Sequence, residues 1–277
     1  MSNENDNDII SVCPGVRVVP VRSPTLPPAT HTNVWILGEH HVTVVDPASP
    51  YEEEQERLDE ILEMFMVERI LLTHHHHDHI GGAVALQKTT GAKIAAHPLT
   101  RDRLDFEVNE ILTEGDVVDT DAGFWRVIHT PGHAPGHIVL FNGGLSTFVA
   151  GDMVAGVGTI LLDPPEGNLA EYLESLEQMM SLNPERLLPA HGPVIPDGTT
   201  YLKDYITHRH MRSEQIISAL AASPGMNEQQ LAAKIYSGLI PDAFLGVAAR
   251  QVLTHLKWLE SEERACNDDG KFHVVSR

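Results

Sequence analysis

The densest chemistry in the chain lies in Thr73-His74-His75-His76-His77-Asp78-His79-Ile80-Gly81-Gly82. Four consecutive histidines admit several registers, and Asp78-His79 selects one of them. H-x-H-x-D-H makes His74, His76, Asp78 and His79 the chemical residues, with His75 and His77 as spacers. In an extended chain alternate side chains project to one side, so His74 and His76 can reach a single metal ion. Asp78 and His79 follow where the backbone turns into a helix and can face a second ion beside the first. Imidazole nitrogen with one or two carboxylate oxygens suits zinc, with iron and manganese as competitors. Histidine runs also occur in solvated loops and expression tags, but tags are terminal. This run is internal, between Arg69-Ile70-Leu71-Leu72 and Gly81-Gly82.

Three further clusters share this character. His129-Thr130-Pro131-Gly132-His133-Ala134-Pro135-Gly136-His137 follows a predicted strand, Phe124 to Ile128. Gly151-Asp152 stands at the exit of a predicted hairpin, Ile138 to Phe141 with Thr147 to Ala150, and Ala190-His191-Gly192-Pro193 follows Arg186-Leu187-Leu188-Pro189. Each cluster ends an apolar run in a loop bounded by Gly or Pro, where a side chain can converge on a shared cleft instead of packing in the core. All of these loops are expected to meet at one edge of the fold.

The elements that must carry them read as alternating strands and helices. Val16 to Val21 is a strand, and Asn33 to Leu37 with Val42 to Val45 forms a hairpin ending at Asp46. Ser49-Pro50-Tyr51-Glu52 carries a helix-start signature, and this helix is expected to reach about Met66 with Leu58, Ile61, Leu62 and Phe65 inward. Arg69 to Thr73 is a strand delivering the histidine run, Gly81 to Thr90 a helix and Lys93 to Ala96 a strand. That succession predicts a layered α/β architecture. Asn168 to about Ser181 is an amphipathic helix with Leu169, Leu173, Leu176 and Met180 inward, stopped by Asn183-Pro184. Leu202 to Ala222, Asn227 to Tyr236 and Val247 to Leu259 read as further helices, with a last strand near Lys271 to Val275.

Composition narrows the function classes. With 277 residues and 42% hydrophobic content, the chain can bury a substantial core in one large domain plus an appendage. No long apolar run is present, which excludes a transmembrane helix. The amino terminus, MSNENDNDII, lacks the basic start and apolar stretch of a signal peptide, so the expected location is cytoplasmic. Cys13 and Cys266 are read as unpaired thiols. The formal charge of −20 is uneven: residues 203–277 hold nine basic and nine acidic residues, leaving ten against thirty in residues 1–202. An acidic surface repels polyanions and favours solubility, although two divalent ions would put positive charge inside the site.

In order, T-H-x-H-x-D-H, T-P-G-H, G-D and A-H-G-P resemble the metallo-β-lactamase superfamily of binuclear hydrolases, over residues from about 16 to 200. Gly151-Asp152 with Gly156-Val157-Gly158-Thr159, Pro189-Ala190-His191-Gly192-Pro193-Val194-Ile195 and Tyr205-Ile206-Thr207-His208-Arg209 resemble its β-lactamase-like protein 2 group. Members of that group carry a winged-helix-like carboxy-terminal domain, and the mitochondrial animal member is a single-strand endoribonuclease. The resemblance implies an αββα sandwich with a small helical, winged-helix-like domain: a flexible tail over 1–11, a catalytic domain over 12–201 and the appended domain over 202–277.

Carried over position by position, the resemblance makes His74, His76 and His133 ligands of one ion, Asp78, His79 and His191 ligands of the other, and Asp152 the bridge. It implies two Zn²⁺, with iron or manganese as substitutes, and assigns catalytic roles to Asp78 and Asp152. Two such ions about 3.5 to 4 Å apart lower the pKa of a shared water from about 15.7 towards 7. The expected reaction is hydrolysis of an ester-type bond, whether phosphodiester, thioester, ester or lactone. The expected partners are a small-molecule ester-type substrate or single-stranded RNA, and a second copy in a homodimer, with no membrane. Alternatives are a winged-helix binding protein with a vestigial metal site and a mononuclear iron dioxygenase acting on sulfur compounds. Asp46 and Thr73 are read as outer partners that orient ligating imidazoles. His137 is an outer-shell, substrate-facing or structural residue. His31, His97 and His129 are read as solvated or packed.

Overall fold

The structure, a computed structural model, describes residues 9–275. The tail expected over 1–11 lies outside the described residues as far as residue 8. Ile10 and Ser11 do not belong to a tail: they pair with Val18 and Arg17 in a first strand. Their alternation with the next strand gives them a ladder to join, which an acidic composition count does not register.

Seven strands make the first sheet, adjacent in chain order: β1 (Ile10–Cys13), β2 (Val16–Arg22), β3 (His31–Leu37), β4 (His41–Val45), β5 (Met66–Leu71), β6 (Lys93–Ala96) and β7 (Glu110–Ile111). The first four run antiparallel and β4 to β7 parallel. Helices α1 (Glu52–Leu62), α2 (His77–Ile80), α3 (Ala83–Thr90) and α4 (Pro98–Arg101) lie in the connections. The second sheet contains β8 (Val117–Thr120), β9 (Gly123–His129), β10 (Ile138–Asn142), β11 (Thr147–Gly151) and β12 (Arg186–Pro189), ordered β12-β11-β10-β9-β8.

Side-chain alternation divides the core. On β3, Val34 and Ile36 join Val44, Ile70 and Ile94 under Leu58, Leu62 and Leu86 of α1 and α3. Their neighbours Trp35 and Leu37 pack with Leu71 and Val45 against Trp125, Val127, Leu140 and Leu188 of the second sheet. Strands buried on both faces read as unbroken apolar runs, which is the reason Val34 to Leu37 shows no polar alternation. Helix, sheet and sheet are three layers of the expected αββα sandwich. The helix expected for the fourth, α5 (Leu169–Ser181), groups with a second compact unit.

The described residues divide into a unit that contains both sheets, through residue 130 with 134–160 and 182–199, and a unit of 131–133, 161–181 and the residues from 200 onward. The linear division at 201/202 therefore differs from the packing by the Pro131–His133 and Leu161–Ser181 segments. Within the second unit Leu162 is stitched to the last helix: its N–H donates to Gln251 Oε1 (2.9 Å) and its carbonyl accepts from Thr254 Oγ1 (2.5 Å). This unit contains α5, most of α6 (Gly198–Ala222), α7 (Glu228–Tyr236) and α8 (Leu245–Ser261), then the hairpin β13 (Ala265–Asp268) and β14 (Lys271–Val274). Ile216, Leu220, Leu231, Val252, Leu256 and Phe272 form its core. Asn227 closes a capping box with Gln230 at the start of α7. Among the described residues no helix is long and apolar enough to cross a membrane.

Candidate metal centre

The histidine run leaves β5 in extended form. His76, at φ −67° and ψ 147°, is the last extended residue, and Asp78 and His79 fall in the single turn of α2. The helix expected over 81–90 is α3, which starts two residues later at Ala83 and ends at Thr90, and the separate turn of α2 precedes it and ends at Ile80. The two glycines between them let backbone meet backbone. Gly82 N–H donates to Pro47 O (2.6 Å), and a Cβ on Gly82 or Gly81 would sit 2.6 Å from a carbonyl oxygen of Pro47 or Ala48. This close approach sets the motif beside Asp46.

Asp46 organises the imidazoles. Its Oδ1 accepts from Thr73 N–H (2.8 Å) and its Oδ2 from Thr73 Oγ1 (2.6 Å) and His79 Nδ1 (2.8 Å). Because Thr73 gives its hydroxyl proton to Asp46, its oxygen accepts from His74 Nδ1 at 3.0 Å. Both rings therefore carry their proton on Nδ1 and offer the Nε2 lone pair, the tautomer a metal ligand needs. His191 follows the same rule, donating from Nδ1 to His31 O (3.2 Å). These contacts match the orienting roles read for Asp46 and Thr73.

The lone pairs converge. His74 Nε2 and His76 Nδ1 are 3.0 Å apart. Asp152 Oδ1 lies 3.6 Å from His79 Nε2 and 3.4 Å from His191 Nε2, while Asp78 Oδ2 lies 3.5 Å from His191 Nε2. Ligand atoms of His74, His79 and Asp152 form one group within 4.8 Å of one another, and those of Asp78, His79 and His191 form a second. His79 Nε2 is fully buried and makes no hydrogen bond. Burial alone would push the pKa of this ring down, but the carboxylates of Asp152, Asp46 and Asp78 outweigh it and hold the pKa well above the ordinary 6.5. The cluster calls for positive charge at the position where Nε2 points, and a divalent cation fits it.

His133 belongs to the second unit, at the end of Pro131–His133. It is buried, and its Nδ1 donates to Leu161 O (2.9 Å), which again puts the lone pair on Nε2. Gly132 holds φ +121°, and a Cβ there would lie 2.3 Å from Tyr172 N. His97 and His129 stack on each other at 4.2 Å, and burial with the neighbouring His129 ring pushes His97 down to about 4. They are packed residues, as read. Asn33 is a residue that motif reading passes over. Its N–H donates to Ala190 O (2.8 Å) and its Nδ2 to Pro189 O (2.9 Å) and Gly192 O (2.8 Å), pinning the loop that presents His191. The sequence offers only an asparagine at the head of the apolar run Val34 to Leu37, which does not identify its partners.

Residues 27–191 match the model of the metallo-β-lactamase superfamily. The chain belongs to the metallo-β-lactamase superfamily. It is 30% identical to the β-lactamase-like protein 2 homolog of Drosophila melanogaster over 275 residues, 88% of each chain. A crystal structure of a β-lactamase domain protein from Burkholderia ambifaria superposes with a TM-score of 0.86 at 24% identity, covering 99% of this chain and 95% of that one. TTHA1623 in a di-iron-bound form matches with a TM-score of 0.54 at 27% identity, over 65% of this chain and 97% of that one. This chain is accordingly a metal-dependent hydrolase of the superfamily, with a candidate histidine and aspartate metal cluster.

Proposed function

We propose that the chain is a binuclear zinc hydrolase that cleaves an ester-type bond in a small substrate. The observation that carries this is the carboxylate and imidazole cluster in which Asp152 Oδ1 lies between His79 Nε2 and His191 Nε2, at 3.6 and 3.4 Å. His74, His76 and His133 would hold one ion, Asp78, His79 and His191 the other, with Asp152 shared. Bound divalent ions would supply Lewis acidity and a water of lowered pKa. The chain's own residues do the rest. Asp46 and Thr73 keep His74 and His79 in the ligating tautomer. Asp78, about one fifth exposed where Asp152 is buried, is the carboxylate able to take a proton from the nucleophile and pass it outward.

A small substrate is favoured over single-stranded RNA by charge. The sheet-bearing part is strongly acidic, and among the described residues the arginines of the second unit are engaged: Arg264 with Glu214, Arg250 with Asp163, Arg212 over the Tyr236 ring, and Arg209 buried over Tyr172 and Tyr205. The three helices and terminal hairpin of that unit are in keeping with the winged-helix-like domain that the family resemblance implies. The test is a panel of p-nitrophenyl ester, thioester, lactone and labelled single-stranded RNA, offered to zinc-loaded protein alongside Asp152→Asn and a chelator. Turnover of a carbonyl ester, lost in both controls, supports the reading. RNA cleavage lost in both controls replaces the small substrate with a polynucleotide. One iron and no zinc after metal analysis would overturn the binuclear hydrolase in favour of an oxygenase.

A further inference from the structure

We infer that His137 is a positioning residue for the shared carboxylate, holding Asp152 in place through its backbone. The inference rests on the metal-centre reading and extends it to a histidine that binds no ion. His137 is completely buried. Its Nε2 lies 3.0 Å from Asp152 N, and an amide N–H can only donate, so Nε2 is the acceptor. Nδ1 then carries the proton and donates to Thr130 Oγ1 at 2.9 Å. Both ring nitrogens are committed, which separates His137 from the ligating imidazoles whose Nε2 lone pairs face the cluster.

The surroundings are shaped for this contact. His137 N–H donates to Ala134 O (3.1 Å), its carbonyl accepts from Thr130 N–H (2.9 Å), and Ile138 N–H donates to Thr73 O (2.9 Å). The ring is thereby fixed where the end of β9, the start of β10 and the strand leading to His74 meet. Gly151 holds φ +48°, and a Cβ there would lie 2.5 Å from His137 Nε2. A glycine at 151 is what allows the ring to reach the next amide. The last pair of β11 with β12 is Gly151 opposite Pro189, so the strand ladder stops short of Asp152 and the imidazole supplies the partner. Its carboxylate is delivered from an anchored backbone, between His79 and His191.

The experiment is zinc affinity by competition with a chromophoric chelator, with apo-protein melting as the parallel measurement. His137→Phe keeps a buried ring but removes the acceptor, and zinc affinity should fall about tenfold or more. His137→Gln, whose Oε1 can accept the same N–H, should recover most of that loss. Thr130→Val, which removes the Nδ1 partner, should lower affinity in the same direction and serves if His137→Phe does not fold. A merely structural role would lower the melting temperature and leave zinc affinity unmoved, and that result in either variant overturns the inference. An unmutated chain that binds no zinc overturns the metal-centre reading and takes this inference with it. An unmutated chain that binds zinc no more tightly than His137→Phe overturns this inference alone.

Discussion

The chemistry of this chain is decided by which ring nitrogen each histidine leaves unprotonated, and Asp46 decides it twice. One carboxylate satisfies Thr73 and His79 directly and His74 through the threonine hydroxyl. Asp46 does so from a left-handed backbone, φ +51°, a conformation that aspartate and asparagine tolerate better than most residues. Asp46→Asn keeps that tolerance and the side-chain shape but puts a donor where an acceptor is needed. Zinc affinity should fall about 10- to 100-fold with the fold retained, as measured by chelator competition and circular dichroism. Asp152→Ala removes a proposed ligand outright, so activity should fall by at least about a hundredfold together with metal content. Full activity in metal-depleted Asp152→Ala protein would dispose of the metal assignment.

Elements place these residues, and one helix contact reports on pH. His255 of α8 is buried, and its Nδ1 lies 2.8 Å from Ser213 Oγ of α6. Burial, with Arg209, Arg212, His208 and His210 nearby, lowers its pKa to about 3. The folded ring stays neutral where the unfolded one, near 6.5, takes a proton, so the stabilisation from His255 is complete above that value and is lost as pH falls towards 3. Its contribution should shrink by about 1.4 kcal/mol per pH unit within that window. The measurable form is the stability difference between the chain and His255→Phe in urea, which should narrow from pH 7 to pH 4.5; a constant difference would refute the assignment. Gly132→Ala tests placement differently. With φ +121° and Tyr172 N only 2.3 Å from the new Cβ, it should cost at least about 2 kcal/mol by thermal melting and disturb His133. The elements were legible where local rules decide them. Asn168 caps α5 through Oδ1 to Ala170 N and Glu171 N, and Asn227 caps α7, both at the expected positions. Tertiary pairing decided the rest. The helix expected to reach Met66 stops at Leu62, because Met66 and Val67 pair with His41 and Val42 in the parallel ladder. On α5 it is Met179 that is buried and not Met180, since Tyr172, Leu176 and Met179 define the inward stripe. The candidate ligands His74, His76, Asp78 and His79 are legible in the spacing of the histidine run and His133, His191 and Asp152 in the family resemblance, whereas the partners of Asn33 and the contact between His137 and Asp152 N depend on which loops meet, and no local pattern records that.

At the scale of the whole molecule, charge is the feature that separates the two substrate classes. The formal charge is −20, and the proposed centre offsets little of it beyond the cleft, because a charge more than a Debye length away, about 8 to 10 Å at ordinary salt, is screened. A protein that binds RNA by replacing counterions loses affinity steeply as salt rises, with a logarithmic slope of about −0.7 for each phosphate contacted on a single strand. The ion-paired and stacked arginines of the second unit provide no such row of contacts. Turnover of a neutral ester should therefore be nearly flat between 50 and 200 mM salt, by initial rates at low substrate, while any single-stranded RNA binding should stay level or strengthen as repulsion is screened (about 50 and 200 mM being the range over which counterion release is diagnostic). A negative slope equivalent to several phosphates would mean that a basic track forms on this chain despite its composition, and the small-substrate reading would give way to a polynucleotide one. A flat ester profile with no RNA retention would leave the acidic surface acting as a filter, admitting small uncharged substrates to a centre whose positive charge is confined to the ligand cluster.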